Sequence, residues 1–204
     1  MDRFDDIDRI AIERYSHNLK WELFHRYLVK KNKGIRKEAL RDLEEFIVEF
    51  RNWEYQDQKD FVLSIVDFED EIPNTTSSYF ATPLSLMMQD FMNDWIKSEN
   101  NDSTPFRWLA QKNNDTEMAR KALSINPNDD LARLVIINAY LDKIYWSTHS
   151  LPHHFSGDID EILAIYPTCL EEIKQLENRE NQRKYTAELQ EEIQVVKDYK
   201  KSQE

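Results

Sequence analysis

The sequence predicts an all-α protein on three observations. Glycine is nearly absent, apolar residues recur at three- and four-residue steps, and Pro, Asn and Asp cluster between those periodic stretches. Only Gly34 and Gly157 occur in 204 residues, so few positions can adopt φ > 0 at low cost. Asn-Gly and Asp-Gly pairs are absent, which removes the favoured two-residue hairpins and argues against a β sandwich or barrel. The same shortage excludes a dinucleotide fingerprint, a P-loop and a serine nucleophile elbow, each of which needs two or more glycines at fixed spacing. The expected architecture is a single domain, residues 1–204, of about eight helices paired as antiparallel hairpins in an irregular solenoid-like or bundled array.

Taken in order, Ile12, Tyr15, Leu19, Leu23 and Tyr27 share one face and predict a long first helix, widened by Trp21 and Phe24. Lys30, Lys31 and Lys33 before Gly34 read as its end, since cations favour the carbonyl terminus and glycine supplies a left-handed cap. Leu40, Leu43, Ile47 and Phe50 predict a second helix folded back on the first, and Phe61, Ile65 and Phe68 a third. These complete an N-terminal helical section, 1–70. Residues 71–104 are expected to be an acidic linker and helix. The linker is the irregular stretch from Glu71 to Pro83. Thr82-Pro83 then starts a helix whose stripe is Leu84, Met87, Met88, Phe91, Trp95 and Ile96, read as core packing, and residues 98–104 end it. Residues 147–204 are expected to be a loop and a C-terminal hairpin. One stripe is Ile162, Tyr166, Leu170, Ile173 and Leu176, with Pro167 expected to kink or restart the helix, and the other is Tyr185, Leu189, Ile193 and Val196. Lys197 to Glu204 are expected to fray.

Charge is distributed unevenly. The chain is −12 overall, and residues 52–106 alone are −9, with 11 carboxylates against Lys59 and Lys97. Such a segment repels phosphate backbones, which disfavours DNA, RNA and anionic membranes as partners. Its natural complement is a basic protein, and the ordinary alternative is a solubility device. Asp57, Asp60, Asp67, Glu69, Asp70, Glu71, Asp90 and Asp94 are the candidate partner-binding residues. The basic run Lys30 to Lys37 reads as helix-end electrostatics. No run approaches the roughly 18 apolar residues of a membrane span, and the acidic start is unlike a secretory leader, so a cytoplasmic protein is expected. Cys169 stands alone, excluding an intrachain disulfide and reading as a buried small hydrophobe.

From Pro105 a family pattern emerges. Glu117-Met118-Ala119-Arg120-Lys121-Ala122-Leu123-Ser124-Ile125-Asn126-Pro127-Asn128-Asp129-Asp130 resembles the second helix and closing turn of a tetratricopeptide repeat, and Ala132, Ile136, Ala139 and Tyr140 fall where the next repeat places its packing residues. The repeat's early Trp is Arg133 here, its small residue is Ile137, and no second 34-residue copy follows. The resemblance covers about residues 105–146 and implies a helical hairpin and partner binding, not a reaction. The wider layout, with Pro105-Phe106-Arg107-Trp108-Leu109 before that hairpin and Tyr145 to Pro152 after it, resembles small uncharacterised bacterial proteins and implies no activity.

The stretch from Trp146 to Asp160 has the most chemical composition, holding His149, His153, His154 and Asp158 as possible metal ligands. Pro152 lies between His149 and His153, so they cannot share a regular helix face, and the spacing matches no zinc pattern. The plainer reading is a surface loop in which Gly157 turns the chain and Asp158 caps the next helix. Glu22 and His25 have di-iron spacing, but no second Glu-x-x-His unit exists. The expected function is therefore a non-catalytic protein-binding module without a cofactor, most concretely an immunity or inhibitor protein neutralising a basic toxin or nuclease domain. A metal-dependent enzyme or regulator using the His149 to Asp160 loop and a repeat-type adaptor are the alternatives.

Overall fold

A computed structural model describes residues 3–72 and 79–203, and the described residues are helical with no strand. They form ten α-helices rather than about eight. These are α1 (Arg3–Tyr15), α2 (Glu22–Asn32), α3 (Arg36–Phe50), α4 (Tyr55–Glu71), α5 (Thr82–Ser98), α6 (Thr104–Asn113), α7 (Thr116–Ile125), α8 (Asp130–Thr148), α9 (Ile159–Lys174) and α10 (Arg179–Ser202). The chain divides into two compact units, 1–91 and 92–204, and the division falls inside α5. Of the linker expected from Glu71 to Pro83, residues 73–78 lie outside the described residues. No helix among the described residues is long and apolar enough to cross a membrane.

The long first helix is a correction. Apolar spacing runs unbroken through Tyr15, Leu19, Leu23 and Tyr27, yet the chain breaks at Ser16 to Asn18. The Ser16 hydroxyl and amide both donate to the Glu13 carbonyl, and the Asn18 side chain accepts from the Lys20 amide to start a 3-10 turn at Leu19–Trp21. Local polar capping outcompetes helix continuation there, and Leu19 is left 90% exposed instead of joining the stripe.

In the first unit, α1 packs on α2 and α2 on α3. Gly34 closes α2 at φ +74°, and the Ile35 amide donates back to the Lys30 carbonyl, so the expected glycine cap forms. The core is aromatic. Phe24 meets Tyr15 edge-on at 4.9 Å and Phe61 edge-on at 5.1 Å, with Phe46 at 5.3 Å. Such pairs contribute roughly 0.5–1.5 kcal/mol each beyond their buried area. The Tyr15 hydroxyl donates to the Ser64 carbonyl at 2.9 Å, tying α1 to α4. Burial raises the Tyr15 hydroxyl above its ordinary pKa.

In the second unit, α6, α7 and α8 pack on one another, and α8 packs on α9 and α10. Four helix starts carry an Asp or Asn cap, that of α9 being Asp158. Asp115 accepts from the Glu117 and Met118 amides, Asp129 from Ala132, and Asn178 from Glu180 and Asn181. Asp130, on α8, also accepts from the Glu177 and Asn178 amides at 2.8 and 3.0 Å, which fixes the α9–α10 turn. Pro167 lies on the exposed side of α9, and the helix runs through it. The C-terminus does not fray at Lys197. Helix α10 continues to Ser202 because Tyr199 stacks on buried Phe155 at 5.4 Å and Lys200 pairs with Asp160 at 2.6 Å.

Candidate functional site

The acidic residues of α4 sort onto two sides. At about 100° per residue, Asp57, Asp60, Asp67, Asp70 and Glu71 fall within an arc of about 140°. Phe61, Val62, Ile65, Val66 and Phe68 occupy the complementary side and are buried. Glu69 falls among those apolar positions and is half-buried, so it does not join the outer carboxylates. Asp57 and Glu71 are paired within the unit. Lys20 bridges to Asp57, and Arg14 to Glu71 at 2.5 Å, an interaction that holds the Arg14 guanidinium above its ordinary pKa. Asp60 accepts from Gln56 at 2.7 Å, and Asp67 is exposed. Asp90 and Asp94 are exposed on α5, and Asp94 pairs with Lys97 at 2.8 Å.

The histidine loop separates its members into different tasks. His149 Nδ1 lies 2.9 Å from the Trp146 carbonyl and Nε2 lies 3.2 Å from Ser150 Oγ. A carbonyl can only accept, so the proton is assigned to Nδ1 and Nε2 accepts from the serine. The backbone amides of His153 and His154 both donate to the Ser150 carbonyl, and their side chains are exposed. Asp158 Oδ1 accepts from the Asp160 and Glu161 amides, the helix cap read from the sequence. Among the described residues, no group of three or more His, Cys, Asp or Glu side chains could hold a metal ion. What His149 joins is an aromatic cluster. Its ring stacks on Tyr145 at 5.9 Å and meets Trp146 edge-on at 4.9 Å, with Trp146 61% exposed.

Two buried charges escaped the sequence reading. Asp42 is fully buried on α3 and holds Arg26 Nη2 at 3.0 Å and Lys30 Nζ at 2.7 Å, both on α2. The Lys30 contact falls outside the geometry of a directed hydrogen bond, so Oδ2 is held by charge alone. Arg133, on α8, donates to Glu172 Oε2 on α9 and to the Pro127 carbonyl, each at 2.6 Å. A signal for both existed in sequence. Asp42 interrupts an apolar stripe opposite a Lys-rich helix end, and Arg133 interrupts the apolar run from Leu131 to Ile137.

Cys169 is buried, and burial followed by the nearby Glu172 charge pushes its thiol up to about 12. Its thiolate fraction at neutral pH is then about a thousandfold below that of an ordinary thiol. Native protein should therefore stay unlabelled by a chromogenic disulfide reagent while urea-unfolded protein reacts stoichiometrically, and fast labelling of the native chain would show that α9 opens.

No family model matches the chain, and no curated protein or solved structure matches it.

Proposed function

We propose that this chain is a non-catalytic protein-binding module that engages a basic partner through the outer side of α4, as an inhibitor or immunity-type protein covering a cationic toxin or nuclease surface would. The observation that carries the reading is the alignment of Asp57, Asp60, Asp67, Asp70 and Glu71 on the side of α4 opposite its buried residues. Aligned carboxylates mimic a phosphate row and accelerate encounter with a cationic cleft, an effect that weakens with added salt. Asp60 and Asp67, both exposed on this side of α4, are the positions to alter.

Charge reversal at both, Asp60→Lys with Asp67→Lys, should slow association with a basic partner captured from the native host by about tenfold or more at low salt. The deficit should shrink toward physiological ionic strength, where the Debye length is about 8 Å. An unchanged association rate would remove α4 as the contact surface.

A second reading is an adaptor of tetratricopeptide-like style. The consecutive packing of α6, α7 and α8 supports it, as does the exposed Tyr145 and Trp146 cluster, since aromatic residues are enriched at interface centres. Several partners captured together, all lost on Trp146→Ala, would favour it over inhibition.

A further inference from the structure

The first unit contains an open cavity of about 400 Å³ where the end of α2, the Gly34 turn and the start of α3 meet Tyr79 and Phe80. That volume lies in the range of about 300–1,000 Å³ typical of small-molecule sites. Its apolar lining includes Ala39, Leu40 and Phe80. One wall is polar and organised. The Tyr79 hydroxyl donates to Asp8 Oδ1 at 2.6 Å, Lys31 Nζ reaches the same oxygen at 3.2 Å, and the Lys31 ammonium lies 3.7 Å from the Tyr79 ring centroid. Asp8 therefore offsets the Lys31 charge. Arg36 also lines the cavity, is exposed, and is engaged by no ion pair among the described residues. A cavity with an apolar interior and a guanidinium that makes no ion pair among the described residues is complementary to a molecule with an apolar body and one anionic end.

We propose that this cavity is a binding site for a soluble amphipathic carboxylate. Arg36 takes the carboxylate, the Lys31–Asp8–Tyr79 wall stays intact, and the alkyl or aryl body lies against Leu40 and Phe80. The site is separate from the α4 surface and from the reading built on it.

Decanoate below its micellar concentration is the probe, with decanol as its uncharged counterpart. The chain has only two glycines, so selective ¹⁵N-glycine labelling gives two amide signals, assigned through Gly34→Asn. Gly34 lines the cavity, whereas Gly157 belongs to the other unit. Decanoate should shift the Gly34 signal saturably and leave Gly157 in place. Arg36→Gln, at an exposed position, should weaken decanoate about tenfold and change decanol less than about twofold, the difference a charge-assisted pair makes. Leu40→Trp should weaken both ligands by filling the cavity. Three results would each overturn the proposal: no saturable shift at Gly34, equal shifts at both glycines, or decanoate affinity indifferent to Arg36→Gln.

Discussion

Replacing Glu172 by alanine should destabilise the second unit by about 3–5 kcal/mol, because it strands a buried charge. Arg133 is 4% exposed. It is held by Glu172 and the Pro127 carbonyl, while its Nε has no hydrogen-bond partner among the described residues. Loss of the carboxylate leaves one acceptor for a buried cation. The reverse change, Arg133→Met, should cost less, since Glu172 retains Arg120 at 3.6 Å and some contact with water. The double variant Arg133→Met/Glu172→Leu should recover most of the loss, as apolar replacement of a buried pair often does. Urea unfolding followed by circular dichroism orders the three. Glu172→Ala within about 1 kcal/mol of the parent would mean that Arg133 is solvated.

The second large effect falls on α2. Arg26→Leu together with Lys30→Met should cost the first unit about 3–5 kcal/mol by leaving the Asp42 carboxylate buried without a counterion. Removing the anion instead is milder. Arg26 and Lys30 keep 45% and 21% of their side-chain surface in solvent, so after Asp42→Leu both cations can still reach water. The asymmetry is the test. Asp42→Leu should lose clearly less than the double cation variant, and adding Asp42→Leu to that variant should restore stability. If the order is inverted, the aspartate contributes through packing and not through its charge.

The helices were legible where the relevant physics is local. Leu43, Ile47 and Phe50 are buried on α3, Phe61, Ile65 and Phe68 on α4, and Leu84, Met88 and Trp95 on α5, as their spacing requires. Asp158 and Gly34 were legible as a cap and a helix end for the same reason, since each acts within a few residues of itself. The break at Ser16 to Asn18 was not, because three side-chain and backbone hydrogen bonds there override an apolar repeat that continues straight through. Glu69 was placed with its acidic neighbours by composition and apart from them by helix rotation.

By itself, then, the sequence determined that the chain is helical, where most helices bury their faces, and that the middle third is strongly acidic. Those properties follow from residue spacing and residue charge. Tertiary structure alone decided that Asp42 meets Arg26 and Lys30, that Arg133 meets Glu172 thirty-nine residues away, that Phe155 stacks on Tyr199, and that Arg36 stands beside an apolar cavity. The physical reason is that a buried charge, an aromatic stack or a cavity is defined by groups distant along the chain, and periodicity carries no information about which helices meet.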